Sequence, residues 1–213
     1  MKNSTWLVIV SFIFMSNYLS AQNSSADVRD QPHFGVKAGL NLSNVYDEQG
    51  NEYNADAKFG LAVGAFASIP IGTLIGVQPE ILYSQKGFRA STVIFGHTYD
   101  FTRTLSYIDI PLLFALKPVE TITILAGPQY SFLVHQKDVF TDGSTSAEQE
   151  TAFNNDNVRK NTLCFTGGVD INLTNIVIGA RAGWDLQQNN GDGTSDSPRY
   201  KNVWYQATLG FRF

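Results

Sequence analysis

The feature that most constrains this chain is a series of segments in which apolar and polar residues alternate, joined by connections that are alternately long and short. Every second residue from Phe34 to Leu42 is apolar, for example, and the residues between them are small or polar. This alternation is typical of β-strands, whose successive side chains point to opposite faces. No sustained helical periodicity occurs, so the pattern predicts an all-β protein.

About eight candidate strands can be read in this way, each near the length of roughly 9 to 11 residues that a tilted strand needs to cross a bilayer. They are residues 34–43, 58–69, 74–86, 104–117, 121–134, 162–173, 176–186 and 203–213. Three compact turns alternate with four longer polar segments, at 44–57, 87–103, 135–161 and 187–199, which are predicted as loops. The sequence therefore predicts a transmembrane antiparallel up-and-down β-barrel with short periplasmic turns and long extracellular loops.

Three prolines lie within these predicted strands. Pro79, Pro111 and Pro128 each lack the N–H that a strand donates to its neighbour. We expect each to mark a β-bulge or a skipped hydrogen bond.

The first 21 residues predict a secretory signal peptide. Lys2 precedes an apolar stretch at residues 6–15, and Leu19-Ser20-Ala21 offers a cleavage site of small or neutral residues. A buried N-terminal strand is the alternative interpretation. The predicted organisation is a signal peptide at 1–21, a short segment at 22–33 and a barrel at 34–213, exported to the outer membrane.

Composition excludes several functions. Without residues 1–21, and so without Lys2, the chain has 14 Lys and Arg (15 minus 1) against 19 Asp and Glu, a net charge of −5. Nucleic acid is thus an unexpected partner, because it binds basic surfaces. Cys164 is the one cysteine and no Cys/His cluster occurs, so neither a metal nor another cofactor is predicted.

Alternation alone does not say which face of the barrel is outside. A soluble periplasmic barrel that binds an apolar ligand would direct the same apolar residues inward. Ten glycines occupy the polar face, where they suit a narrow, crowded interior: Gly35, Gly39, Gly60, Gly64, Gly76, Gly127, Gly168, Gly179, Gly183 and Gly210. This favours an apolar face that contacts lipid.

The aromatic residues of the apolar face favour the same orientation, because they cluster at two heights. One belt is expected at the long-loop end: Phe59, Tyr83, Tyr130, Phe132, Phe165, Trp184 and Tyr205. A second is expected at the short-turn end, with Phe34, Phe114, Phe211 and Phe213. Membrane barrels carry such girdles at both interfaces. Phe211 and Phe213 also form a candidate C-terminal signal for the barrel-assembly machinery.

With this orientation, eight charged side chains are predicted to point into the lumen: Lys37, Glu80, Lys86, Asp109, Asp170, Arg181, Asp185 and Arg212. An eight-stranded barrel is only just wide enough for side chains to fill. We therefore expect the charges to pair and plug the lumen, with Glu80 and Asp109 opposite Arg181 and Lys37. A narrow channel for protons or ions is the alternative.

Catalysis has little support in the sequence. His97, His135, Asp138 and Asp142 lie in or near predicted loops, as the residues of a hydrolase at the barrel rim would, but they form no motif that holds a nucleophile or a water. The run at 189–193 (NNGDG) has oxygen ligands for Ca²⁺ without EF-hand spacing. The sequence predicts neither a catalytic nor a metal site, and the protein is expected not to be an enzyme.

Four stretches carry a family resemblance: residues 77–87 (VQPEILYSQKG), 107–113 (YIDIPLL), 126–128 (AGP) and 209–213 (LGFRF). They resemble the signature stretches of PorT-like outer-membrane β-barrel proteins, and the first two are the most specific. The resemblance covers roughly the whole mature chain and implies a small outer-membrane barrel of Gram-negative cells. The founding type is linked to protein secretion and gliding, but these stretches look architectural and do not imply that role here.

The function expected from the sequence is structural, interacting or accessory to secretion in the cell envelope. The expected partners are outer-membrane lipid, the barrel-assembly machinery and an extracellular or envelope protein that contacts the loops.

Overall fold

A computed structural model of the chain describes residues 27–46, 55–94, 97–142, 145–151, 159–189 and 200–213. The described part contains one short 3₁₀ helix at Val28–Asp30 and nine β-strands. The strands are β1 (His33–Tyr46), β2 (Ala55–Pro70), β3 (Ile75–Ile94), β4 (His97–Val119), β5 (Ile122–Asp142), β6 (Thr145–Thr151), β7 (Asn161–Leu173), β8 (Ile176–Asp185) and β9 (Lys201–Arg212). Within this part, no helix has the length and apolar character needed to cross a membrane. The predicted signal peptide lies outside the described residues.

Eight of the strands close into an antiparallel barrel. β1 pairs with both β2 and β9, and β4 pairs with β5, so that β1, β2, β3, β4, β5, β7, β8 and β9 form a continuous ring. The ends of the ring meet where Phe34 and Phe213 exchange backbone hydrogen bonds. β6 is outside the ring and pairs with the last residues of β5. The predicted up-and-down barrel of about eight strands is confirmed.

The two faces of the barrel differ in the way that lipid requires. Leu40 is 55% exposed and Leu209 is 62% exposed on the outer face, whereas Lys86 and Asp109 are each 1% exposed in the lumen. A soluble barrel would bury its apolar residues and expose its charges. The alternative of a soluble barrel with an apolar interior is therefore wrong.

The prolines interrupt the ladders without shifting the register. The pairing of β3 with β4 stops after Pro79↔Leu112, next to Pro111, and resumes at Leu82↔Asp109 in the same register. The pairing of β4 with β5 likewise has a gap between Pro111↔Gln129 and Phe114↔Ala126, next to Pro128. Each proline thus costs hydrogen bonds but produces no bulge, which is one of the two outcomes expected from the sequence.

Three strands are much longer than predicted. β3 continues to Ile94 and pairs there with His97 of β4, so residues 87–94 and 97–103 are strands and not a loop. β5 continues to Asp142 and forms a hairpin with β6, so the prediction of one long loop at 135–161 is also wrong. The reason is that cross-strand pairing supplies the backbone hydrogen bonds of these polar segments, and that pairing does not require apolar and polar residues to alternate.

β3, β4, β5 and β6 therefore form a sheet that projects past the aromatic belt, which we call the projecting sheet (residues 87–94, 97–104, 135–142 and 145–151). From Tyr83 in the belt to the end of β3 at Ile94 is about 36 Å along the strand at ~3.3 Å per residue. A strand tilt of about 40° leaves about 28 Å along the barrel axis. We call this side of the barrel the extended end and the opposite side the turn end.

Candidate functional site

The lumen holds the charged residues that the sequence singled out, and the strands arrange them in layers. Side chains of alternate residues in each strand point inward, so charged residues of β1, β3, β4, β7 and β8 meet inside the ring. Seven of the eight predicted residues are at most 6% exposed there: Lys37, Glu80, Lys86, Asp109, Asp170, Arg181 and Asp185. The eighth, Arg212, lies at the turn end, where its Nε donates to the carbonyl of Thr174 at 2.6 Å.

The first charged layer is a network of two cations and two anions. Lys37 Nζ donates to Glu80 Oε2, and Arg181 forms a two-pronged ion pair with Asp170 at 2.7 and 2.8 Å. Arg181 also lies 3.8 Å from Glu80, and the Gln78 amide donates to both carboxylates. The layer is electrically neutral, so each buried charge is compensated by an opposite one.

The second charged layer is built around Lys86. Its ammonium lies 3.1 Å from Asp109 and 3.7 Å from the ring centroid of Trp204, with the Tyr107 ring at 4.9 Å. Two aromatic faces and one carboxylate are strong partners for a buried ammonium. Asp109 was expected opposite Arg181 and Lys37, but its partner is Lys86. The β3–β4 register pairs Lys86 with Leu105 and Asp109 with Leu82, so the long Lys86 side chain reaches Asp109 along the lumen.

Asp185 at the end of β8 is held by hydrogen-bond donors. The backbone N–H and side-chain amide of Asn202 donate to its Oδ2 at 3.0 and 2.6 Å, and the Asn189 amide lies at 3.5 Å. The Cys164 thiol donates to its other oxygen at 3.1 Å. Cys164 is fully buried, so this thiol is a structural donor inside the barrel.

Apolar clusters close the lumen on both sides of the charged layers. At the turn end, Leu113, Ala115 and Leu125 pack together and are at most 1% exposed. At the extended end, Val45, Phe88 and Tyr200 form a second buried cluster, and the rings of Phe88 and Tyr200 lie 5.4 Å apart. Sequence reasoning missed the second cluster because Phe88 and Tyr200 lie in segments that were predicted as loop or left between strands.

An ion pair lies above that second cluster, on the projecting sheet. Arg103 donates two hydrogen bonds to Asp138, at 2.9 and 2.8 Å, and a third to the Tyr200 hydroxyl at 3.1 Å. Burial alone would lower the pKa of Arg103, but these hydrogen bonds raise it above its usual value, so the guanidinium stays charged. The Arg103 guanidinium also lies over the Phe101 ring, at 5.3 Å from its centroid. The bond from Arg103 to Tyr200, which directly precedes β9, ties the projecting sheet to the barrel rim.

The turn end is crossed by residues 27–32, which we call the N-terminal strap. Arg29 donates to the carbonyls of Lys117 and Pro118 at 3.3 Å each, and Lys117 Nζ donates to the Arg29 carbonyl at 3.2 Å. Arg29 also binds Asp27, and its hydrogen bonds lower the pKa of the Asp27 carboxyl from 3.8 to about 2. Because β1 and β4 are three strands apart in the ring, these contacts carry the strap across the barrel opening.

The predicted aromatic belt residues lie on the outer face. Phe59 is 67% exposed and Tyr205 is 62% exposed, and neighbouring rings contact each other in the pairs Tyr130 with Phe132 and Phe165 with Trp184. At the turn end, Phe34, Phe114, Phe211 and Phe213 are each at least 50% exposed. Rings at both rims fit the two interfaces of a bilayer.

The residues considered for catalysis do not form a catalytic arrangement in the part of the chain that the structure describes. His135 and Asp138 lie on β5, and the Asp138 carboxylate is held by Arg103 and the Gln136 amide. His97 begins β4 and Asp142 ends β5, and their side chains lie outside what the structure describes, as do residues 190–193 of the candidate calcium loop. Within the described residues no group of three His, Cys, Asp or Glu side chains is placed to hold a metal ion.

A closed ring of eight antiparallel strands, apolar outside between two aromatic belts and charged inside, defines the class of integral outer-membrane β-barrels. The chain belongs to the outer membrane protein beta-barrel domain family, whose model matches residues 20–201. It is an outer-membrane protein. No curated protein sequence matches it.

Solved structures with a similar fold include three small outer-membrane proteins. Ail of Yersinia pestis is 15% identical, with a TM-score of 0.46, over 86% of this chain and 99% of Ail. The neisserial surface protein NspA is 11% identical, with a TM-score of 0.48, over 84% of this chain and 97% of NspA. A major outer membrane protein of Thermus thermophilus is 14% identical, with a TM-score of 0.48, over 86% of this chain and all of the other.

Proposed function

We propose that this protein is a sealed, non-enzymatic outer-membrane barrel that serves as an anchor, and that its projecting sheet contacts an extracellular or envelope partner. The observation that carries the proposal is the filled lumen. Two ion-paired layers lie between two apolar clusters, and Lys86, Asp109 and Leu113 are each 1% exposed. A chain that fills its pore and extends one sheet by about 28 Å has its accessible surface outside the membrane.

The lumen supports a barrel that does not conduct ions. An ion entering from the extended end would have to displace the Phe88 and Tyr200 rings and then break the pair between Lys86 and Asp109. Removing one partner of a buried ion pair costs about 3–5 kcal/mol. Eight strands leave no room for a second path beside these side chains.

The charged groups also support a role without catalysis. Asp138 and Glu80 are each bound by a cation, and Asp185 accepts hydrogen bonds from Asn202 and Cys164. A general base needs a free lone pair within reach of a substrate proton. These carboxylates are instead occupied by groups of the protein itself.

The resemblance to PorT-like proteins is part of the proposal, and so is an accessory role in secretion. The stretch at 77–87 places Gln78, Glu80 and Lys86 in the lumen, and the stretch at 107–113 places Tyr107 and Asp109 beside them. Both stretches therefore build the sealed interior. The projecting sheet is the part that would distinguish one partner from another, since it extends beyond the lipid.

Two further partners, outer-membrane lipid and the barrel-assembly machinery, are proposed from the residues of the outer face. Outer-membrane lipid covers the apolar band between the two belts. Phe211 and Phe213, whose ring centroids lie 6.3 Å apart, form the C-terminal segment that the barrel-assembly machinery would recognise.

Recording in planar lipid bilayers tests the sealed lumen. The wild-type protein should give no sustained current steps. A variant with Trp204→Ala and Phe88→Ala removes the Phe88 ring of the apolar cluster at the extended end and the Trp204 ring of the Lys86 layer beneath it. This variant should show that an opened pore is detectable. Large, sustained steps from the wild-type protein would refute the proposal.

Photocrosslinking in intact cells tests the contact with a partner. A crosslinking amino acid at Phe140, which is 49% exposed on the projecting sheet, should give a protein adduct. The same group at Leu209, which is 62% exposed on the lipid face, is the matched control and should give lipid adducts. Identical adducts at both positions would contradict a partner that binds the sheet.

A further inference from the structure

The projecting sheet ends in an open edge, and this edge has the chemistry of a peptide-binding site. β5 pairs with β4 on one side along its whole length, while its other side pairs with β7 from Ile122 to Phe132 and with β6 from Gln136 to Asp142. Among the described residues β6 has β5 as its only strand neighbour. The backbone groups of β6 that point away from β5 therefore face outward from the sheet.

The hairpin geometry says which backbone groups these are. Asp142 and Thr145 pair across a two-residue connection, and the pair that closes such a hairpin exchanges both hydrogen bonds. Hydrogen-bonded and non-hydrogen-bonded pairs then alternate, so Ala147 and Gln149 bond to β5. The N–H and C=O groups of Ser146, Glu148 and Glu150 point to the open edge.

This array of donors and acceptors fits one kind of ligand. Its repeat is about 6.8 Å, two residues of an antiparallel strand, and an extended polypeptide backbone has the same repeat. We propose, building on the proposed function, that β6 binds an extended segment of another protein by strand addition.

The sequence of β6 indicates the charge of that segment. TSAEQET contains Glu148 and Glu150 and no basic residue. Antiparallel pairing of β6 with a second copy, centred on Glu148, would place this residue opposite its own copy, and like charges directly opposite are destabilising. A partner strand with lysine or arginine at alternate positions would instead be attracted. Edge charges also discourage unspecific pairing, which makes the edge selective.

The binding experiment uses the full-length protein in lipid nanodiscs and a synthetic peptide of alternating lysine and valine. The peptide should bind, and a peptide of alternating glutamate and valine should not. The lysine peptide with N-methyl groups on the backbone nitrogens that face β6 should bind about tenfold more weakly, because it cannot donate to the edge.

Two variants distinguish the contribution of backbone hydrogen bonds to peptide binding from the contribution of the Glu148 charge. Glu148→Pro removes an outward N–H without removing a hydrogen bond to β5, and it should weaken binding of the lysine peptide about tenfold. Glu148→Gln keeps the N–H, and it should reduce binding only at low salt concentration. Hydrogen exchange of the Ser146, Glu148 and Glu150 amides should slow when the peptide is bound.

Several outcomes would overturn the proposal. They are equal binding of both peptides, binding that N-methylation leaves unchanged, and amide exchange at Ser146 to Glu150 that does not respond to the peptide. Self-association that Glu148→Pro abolishes would show that a second copy occupies the edge. Each of these results leaves the sealed barrel intact, because the absence of bilayer current is measured independently.

Discussion

At the scale of single residues, the interior depends on compensation between buried charges. Glu80 shows this most clearly, because it is the carboxylate partner of Lys37 and lies beside Arg181. Arg181 has a second carboxylate in Asp170, whereas Lys37 donates to Glu80. A change at Glu80 therefore affects Lys37 first.

We predict that Glu80→Ala lowers the free energy of unfolding by about 3–5 kcal/mol, because it leaves the Lys37 ammonium buried and unpaired. Urea unfolding in detergent or liposomes measures this. The matched control is Ile81→Ala, whose side chain is 54% exposed to lipid and should cost much less.

The double variant Lys37→Met with Glu80→Gln should recover most of that loss, since a neutral pair needs no compensation. A double variant as unstable as Glu80→Ala alone would show that packing, and not charge, explains the effect.

Gly183 is a second residue with a specific requirement. A Cβ atom placed there would lie 2.3 Å from the Trp204 ring, which is 1% exposed and stacks on Lys86. We predict that Gly183→Ala displaces this ring and costs about 1–3 kcal/mol. The shift should appear in the tryptophan fluorescence spectrum, and Ala180→Gly, on the lipid face of the same strand, should leave the spectrum unchanged.

At the scale of elements, the strands divide into those that stop at the membrane and those that do not. β8 has 10 residues, which is the length needed to cross lipid, whereas β4 has 23 and β5 has 21. Gly87 lies where β3 leaves the barrel, and its φ of 148° is a conformation that other residues rarely adopt. The long strands keep their hydrogen bonds beyond the bilayer because they pair with one another.

The N-terminal strap is the element with a testable dependence on pH. Its Asp27 has a pKa of about 2, lowered by hydrogen bonds from Arg29. A lowered pKa means that the attraction is present above the usual value of 3.8 and is lost as the pH falls through about 2. We predict that the strap keeps its contacts at pH 4.

The measurement is an NMR titration of the Asp27 carboxyl carbon. Arg29→Gln should return its midpoint toward 3.8, and Arg89→Gln, at the other end of the barrel, should not. An unchanged midpoint in Arg29→Gln would mean that the ion pair does not form.

At the scale of the whole molecule, the even number of strands places the start of the first strand and the end of the last strand together at the turn end. His33 begins β1 and Arg212 ends β9 there, while the projecting sheet lies on the other side. Small outer-membrane barrels have short periplasmic turns, so we predict that the projecting sheet is outside the cell.

A maleimide that does not cross the outer membrane should label Arg89→Cys on intact cells and Glu120→Cys only after the membrane is broken. Cys164 is 0% exposed, so the wild-type protein is the background control. Labelling of Glu120→Cys alone on intact cells would invert the topology.

Several features of the fold were determined by the sequence alone, because they depend only on the two-residue alternation of apolar and polar side chains along each strand. Alternation places Leu40 and Leu209 on one face and Lys37 and Asp109 on the other, whatever the partners of each strand. Each alternating segment is also about as long as a tilted strand that crosses the hydrocarbon of a bilayer, and this length predicts a membrane barrel. Likewise the belts follow from the height of each aromatic residue on its strand.

Only the tertiary structure decided which charges meet and where the strands end. The pair between Asp109 and Lys86 depends on the register of β4 against β3, and a sequence carries no direct record of register. The strands beyond Gly87 and His135 have no lipid face, so they lack the apolar alternation that indicated the others. They are strands because each finds a partner, and pairing between distant segments is decided only when the whole chain folds.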